Sequence, residues 1–169
     1  GMPVTTCDER ESETASRIIL PGVGAFPDGM RNLRSRRLDE ILAEQVLGKR
    51  IPLLGICLGM QLLATKGWEG AETAGLGWID GEARRLAPIG PETRIPHVGW
   101  NELHFPGGAA SASRLFASIA AGQDFYFVHS YHLCCRDSGD VLATTPYCGG
   151  FTSAVGRGAI LGVQFHPEK

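Results

Sequence analysis

The stretch LLGICLGMQLLATK, residues 53–66, decides how this chain is read. An apolar run reaches Cys57, a glycine stands two residues to either side of it, and from Met60 to Lys66 the pattern is helical. A buried strand turning sharply into a helix accounts for that order. Gly55 and Gly59 then fall where side chains would collide with the turn, and the residue between them is forced into a strained conformation. What the strain gains is exposure of the central side chain at the carboxyl end of a sheet. The helix that follows aims free N–H groups at the sulfur, which predicts a stabilised thiolate and a lowered pKa. Cys57 is therefore a candidate nucleophile, and the competing reading is a packing cysteine.

Upstream, Ile18, Ile19 and Leu20 form a short apolar run ended by Pro21-Gly22, a buried strand entering a loop. From Pro27 to Lys49, Leu38, Ile41, Leu42 and Val46 recur at helical spacing, with Gly48 as a stop. The arginines of RNLRSRR, residues 31–37, fall beside that stripe as a solvated face. Strand, helix, strand, helix in this order implies parallel strands joined by right-handed crossovers. After Gly67 the chain changes character. GWIDGEARRL, HVGWNELHF, DFYFVHSYHL, DVLATTPY, FTSAVG and AILGVQFH are short, aromatic or β-branched, and punctuated by Gly, Pro and Asp. They predict a β-rich second half, with residues 87–96 as a loop inside one domain spanning 1–169.

With 169 residues and a formal net charge of −2, the composition is that of a soluble globular protein and argues against non-specific nucleic-acid binding. No apolar segment reaches the roughly 20 residues of a membrane span, and the N-terminus carries no signal-peptide pattern, so a cytoplasmic location is expected. Gly1 before Met2 reads as a residue left by tag cleavage. Five cysteines without framework spacing suit a reducing compartment. Cys7, Cys134, Cys135 and Cys148 are read as packing residues, and no zinc pattern emerges.

A thiol nucleophile needs a base, and the histidines are His97, His104, His129, His132 and His166. The last lies in GVQFHPEK, with Glu168 two positions on across Pro167. Proline keeps its predecessor extended, and residues i and i+2 of an extended segment project to one side. The Glu168 carboxylate can then hold the imidazole tautomer and stabilise imidazolium, which makes Cys57, His166 and Glu168 a candidate catalytic triad.

LPGVGAF, GICLGMQLL, PHVGWNEL, FYFVHSYH and GVQFHPEK, taken together and in this order, resemble the class I (triad) glutamine amidotransferases. Within that family, PHVGWN and FVHSYH are most similar to the glutaminase subunits of imidazole glycerol phosphate synthase. The resemblance implies a three-layer α/β, flavodoxin-like fold with a mainly parallel central sheet. It implies hydrolysis of L-glutamine through a cysteine thioester, with no cofactor and no metal. The oxyanion hole would come from backbone N–H groups of Leu58 and of Val23 or Gly24, where Gly22 and Gly24 permit a peptide flip that switches activity. Gly22, Gly59, Gln61, His129, Ser130 and Tyr131 match substrate-binding positions. The implied partner is a (β/α)8-barrel cyclase that receives the ammonia. His97, Trp100, Asn101 and Lys169 match positions toward that interface, whereas Trp68 and Trp78 are read as core, His104 as structural and His132 as facing elsewhere.

The chain also departs from the family pattern. Relatives place a buried strand, a G-x-G-N-L loop and a helix before the segment that matches residues 4–8, and a serine and closing helix after the equivalent of Lys169. A fold lacking its first strand and last helix is expected, with impaired activity or self-association through the exposed sheet. Two other readings follow: a paralogous glutaminase serving another synthase, and an inactive docking module. A generic thiol hydrolase has no support beyond the elbow and the triad.

Overall fold

The computed structural model describes residues 15–91, 93–108 and 114–169. Gly1, Met2, Cys7 and the segment 4–8 lie outside the described residues.

Strand β1 (Ile18–Gly22) pairs in parallel with β2 (Leu53–Cys57), Ile18 opposite Leu53 and Gly22 opposite Cys57. On its other side β2 pairs in parallel with β11 (Ile160–Val163). Antiparallel β10 (Phe151–Arg157) and β9 (Val141–Thr145) complete a five-stranded sheet of order β1-β2-β11-β10-β9. A central strand covered on both faces is apolar along its whole length, which is what residues 53–57 are. Leu53 packs with Met60, Leu63, Ile79 and Val155 on one face. Leu54 and Ile56 pack on the other against the group holding Leu103, Phe127, Phe151 and Phe165.

Helix α1 (Phe26–Ser35) contributes Phe26, Met30 and Leu33 to a third apolar group, where they meet Leu58 and Leu62 of helix α3 (Leu58–Leu62). The single helix expected from Pro27 to Lys49 is broken. Ser35 bonds back to the Asn32 carbonyl, Arg37 takes the left-handed region at φ 54°, and α2 (Leu38–Ala43) runs into a wider π turn. Side chains such as Asn and Ser compete with the helical ladder for backbone partners, and the stripe of apolar residues does not report that competition. The arginines of residues 31–37 lie outward, with Arg31 on Asp28 and Arg37 on Glu40.

A second sheet has the order β4-β3-β5-β8, from β3 (Ala64–Gly67), β4 (Thr73–Ala74), β5 (Ile79–Arg85) and β8 (Tyr131–Cys135). It corrects the helix expected up to Lys66. Helix α3 ends at Leu62, and Ala64 and Lys66 pair with Ile79 and Glu82 instead. A four-residue stretch cannot distinguish helix from strand by its own periodicity, so the neighbouring strand decides. Trp68 corrects the core reading as well. It is 41% exposed, donates its indole N–H to Glu82 at 2.8 Å and lies under Lys66 and Arg84. Trp78 is buried in the core beside Ile79, as expected.

Strands β6 (His97–Glu102) and β7 (Asp124–His129) form an antiparallel ribbon, His97 opposite His129. The His166 backbone N–H donates to the Tyr126 carbonyl at 2.9 Å and fastens this ribbon to the chain beyond β11. Through that bond the segment carrying His166 is brought to the carboxyl end of β2, where it shares a cleft with Cys57. The predicted strands of the second half are all present, and residues 87–91 and 93–96 form a loop.

Candidate functional site

Cys57 ends β2 at φ 53° and ψ −110°, a conformation that L residues rarely adopt. Glycines on both sides permit it. A Cβ on Gly55 would lie 2.8 Å from the Gly59 carbonyl and the Met60 nitrogen, and one on Gly59 would collide with the Leu20 carbonyl oxygen. The sulfur faces a cleft of about 340 Å³ lined by Val23, Gly24, Leu58, Gln61, Glu69, Pro96, Val128, His129, Ser130, Tyr131 and His166.

His166 Nδ1 and Glu168 Oε1 are 2.8 Å apart, an i and i+2 pair across Pro167. The carboxylate can only accept, so Nδ1 carries the proton and Nε2 is left with its lone pair. Nε2 is buried and has no hydrogen-bond partner in the protein. Glu168 is held below the ordinary carboxylate value, first by its own backbone N–H and then by His166.

Burial pushes the Cys57 thiol above its ordinary value, while the Leu58 N–H and the Gln164 side chain pull it down and Glu168 adds to the rise. The lowered pKa expected from the helix terminus is thus outweighed. Helix α3 has only five residues, and a sulfur removed from water resists ionising. An arrangement of this kind ionises the thiol when a base takes its proton, not in advance.

Leu58, Val23 and Gly24 share the cleft with Cys57. Gly24 has φ 99° with open space about it, and Val23 is 83% exposed, so the loop after β1 is free of packing constraints. Gly22 does not line the cleft, and a Cβ there would press on Leu58 at 3.1 Å; Gly59 is likewise backbone packing beneath the turn.

Gln61, His129, Ser130 and Tyr131 form one wall. Gln61 donates to the Tyr131 carbonyl at 2.8 Å and to Gln164 Oε1 at 2.9 Å, and Gln164 donates to Cys57 Sγ at 3.5 Å. His129 Nδ1 also bonds the Tyr131 carbonyl, at 2.9 Å, and burial lowers its pKa to about 3. Behind it His97 is buried, stacked on Tyr147 at 4.0 Å and bonded to His129 and Asn101. Trp100 is 61% exposed on the outer face of the ribbon, beside exposed Val98 and Val128, and Lys169 is exposed at the end of the chain. His132 packs against Phe151 and Cys134, and His104 pairs with Glu102 at the surface.

Two residues of this site escaped the sequence reading. Glu69 lines the cleft while accepting the first N–H of α1, from Phe26, at 2.7 Å. Gln164 had one visible signal, an amide inside the apolar run LGVQF, residues 161–165.

Residues 2–169 match the family model described as glutamine amidotransferase class-I. The imidazole glycerol phosphate synthase subunit HisH of Brucella suis is 46% identical over 97% of this chain and 76% of its own length. The corresponding subunit of Moorella thermoacetica is 47% identical over 100% and 77%. Among solved structures, a glutamine amidotransferase superposes with a TM-score of 0.67 at 22% identity, covering 92% of this chain and 72% of the other. One from Thermotoga maritima gives 0.66 at 22%, covering 95% and 59%. At that identity the structural likeness speaks for the fold, and it agrees with the α/β, flavodoxin-like fold that the resemblance implies.

Proposed function

The chain belongs to the class I glutamine amidotransferases, and on that premise we propose that it is the glutaminase subunit of an imidazole glycerol phosphate synthase, a single glutaminase domain over residues 1–169. The observation that carries the reading is His166, its Nδ1 committed to Glu168 and its Nε2 unpartnered, in the same cleft as a cysteine held at a strained strand-to-helix turn.

Glutamine enters with its carboxamide toward Cys57. His166 Nε2 takes the thiol proton as the sulfur attacks the carboxamide carbon, and the oxyanion is met by backbone N–H groups of Leu58 and of Val23 or Gly24. His166 returns the proton to the departing ammonia, leaving a γ-glutamyl thioester. Water, deprotonated by the same nitrogen, cleaves the thioester to glutamate and restores the thiol. Glu168 holds the tautomer and stabilises imidazolium while the proton is on His166. Glu69, Ser130 and Tyr131 surround the amino-acid end of the substrate, where the Glu69 carboxylate suits an ammonium group.

Ammonia has value only if kept from water, so its acceptor is a (β/α)8-barrel cyclase that joins it to N′-(phosphoribulosyl)formimino-AICAR phosphate. Trp100, Asn101 and Lys169 face that subunit, with His97 behind them. The exposed apolar side chains Val98, Trp100 and Val128 beside the cleft support a docking face there. Among the described residues no helix is long and apolar enough to cross a membrane, and a cytoplasmic setting suits this chemistry.

The test is ammonia release from glutamine with and without a barrel cyclase subunit and its nucleotide ligand, with Cys57→Ala as blank. Release confined to the liganded pair, and absent in the blank, is the expected result. Release that persists in Cys57→Ala overturns the nucleophile, and no release under any condition overturns the enzymatic reading.

A further inference from the structure

Gln164 is fully buried between Val163 and Phe165. An amide in such surroundings costs free energy unless its polar atoms find partners. It has two, Gln61 and Cys57, and one group that cannot donate fixes which end of the amide meets which. The Tyr131 carbonyl only accepts, so the Gln61 side chain must turn its NH2 toward it, at 2.8 Å. The second hydrogen of that NH2 goes to Gln164 at 2.9 Å, which must present its oxygen. Gln164 is left with its own NH2 directed at Cys57 Sγ, 3.5 Å away. The same carbonyl receives the proton of His129 Nδ1, so the point from which the orientation starts is held on both sides.

We propose that Gln164 is a further residue of the nucleophile's machinery: its amide N–H, held in direction by Gln61 and the Tyr131 carbonyl, bonds the Cys57 sulfur and favours its thiolate. This rests on the reading of Cys57 as the nucleophile. A donor bonded to an anionic acceptor is roughly twice as strong as one bonded to a neutral acceptor, so the contact tightens as the proton leaves. It opposes the burial that holds the thiol neutral, and it does so without a charge that would repel or trap the substrate. The titratable groups sharing the cleft with the sulfur are Glu69, His129, Tyr131 and His166, with Glu168 behind His166; no side chain among them bonds Gln164.

The measurement is the pH profile of Cys57 alkylation by iodoacetamide, followed on the tryptic peptide 51–66, in which Cys57 is the sole cysteine. In Gln164→Met, of similar size and without a donor, the midpoint is expected to rise by about one pH unit. In Gln164→Glu, which keeps the acceptor for Gln61 but brings a carboxyl to the sulfur, it rises further. A folded Gln164→Met with the midpoint of the unaltered protein overturns the proposal. In the unaltered protein, the ¹⁵N resonance of the Gln164 side chain is expected to titrate with the alkylation midpoint. A resonance that stays still while Cys57 ionises overturns the proposal as well, and needs no variant to fold. Alkylation requires no glutamine. A moved midpoint without ammonia release would therefore count against the glutaminase reading alone, and ammonia release with an unmoved midpoint against Gln164 alone.

Discussion

Gly59 is seated on the backbone of Leu20, so close that a Cβ at position 59 would collide with the Leu20 carbonyl oxygen. Gly55 closes the other side, where a Cβ would lie 2.8 Å from the Gly59 carbonyl and the Met60 nitrogen. The turn that presents Cys57 is thus clamped by backbone against backbone, and neither contact can relax by moving a side chain. That clamp is what keeps Cys57 at φ 53°.

Gly59→Ala is therefore expected to cost about 3 kcal/mol of unfolding free energy, the upper part of the range for overpacking. Urea denaturation checks the stability. Alkylation of the peptide 51–66 checks the geometry, since a displaced turn changes access to the sulfur. A fully stable Gly59→Ala chain would mean that β1 stands farther from the turn.

The Glu168 prediction follows from acceptor chemistry. Glu168→Gln can still accept from His166 Nδ1, but it brings no charge to oppose imidazolium. Ammonia release by the partnered protein is expected to fall about 100-fold in kcat, with KM little changed. The Glu168 carboxyl titrates below its ordinary 4.5, so its pairing is present above that value and is lost only as the pH falls through the lower folded pKa. In the unaltered protein a loss of activity between pH 5 and 6 would then not come from this carboxylate.

What the sequence disclosed and what it hid divide by distance along the chain. The Cys57 turn is set by glycines two residues away, and the His166–Glu168 pair by one intervening proline, so both are local and both are legible. Gln164 reaches Cys57 across 107 positions and Glu69 reaches Phe26 across 43. Neither pairing leaves a periodicity or a spacing to read. The strand at Ala64–Gly67 was hidden for a similar reason, because its hydrogen bonds are supplied by β5. Trp68 looked like core by residue type, yet its indole N–H had a carboxylate on β5 to satisfy and two cations to cover it. The sign of the Cys57 shift is not legible, because the helix terminus can be seen in the sequence and the depth of burial cannot.

Away from the cleft, Arg157 and Asp140 test how far an ion pair with a buried carboxylate supports the β9–β10 side of the main sheet. Arg157 bonds both carboxylate oxygens of Asp140, at 3.0 and 2.5 Å, and the Asp140 side chain is almost wholly buried. Arg157→Leu leaves that carboxylate unpaired and is expected to cost about 2 kcal/mol, discounted because the arginine itself is half exposed. Adding Asp140→Asn removes the stranded charge and should recover part of the loss. A double-mutant cycle by urea denaturation measures the coupling, and additive losses would show that the two residues do not interact energetically.

Buried His129 and half-buried His132 predict an acid limit to stability. His129 and His132 have folded pKa values of about 3 and about 4, both lowered by burial from 6.5. Between those values and 6.5 the unfolded chain binds more protons than the folded one, so stability rises with pH across that window and falls as acid is added. From pH 6.5 to pH 4 the loss from the two is on the order of a few kcal/mol. His132→Phe removes one of the two sites and places an aromatic ring against Phe151, which His132 already meets edge-on at 5.9 Å. Urea denaturation at intervals from pH 4 to pH 7 should give a slope for His132→Phe that is smaller than in the unaltered protein by roughly half of what the two histidines contribute. Carboxylates add the same background to both chains, so the difference between the slopes isolates His132. Coincident slopes would mean that His132 takes up its proton in the folded protein as readily as in the unfolded chain.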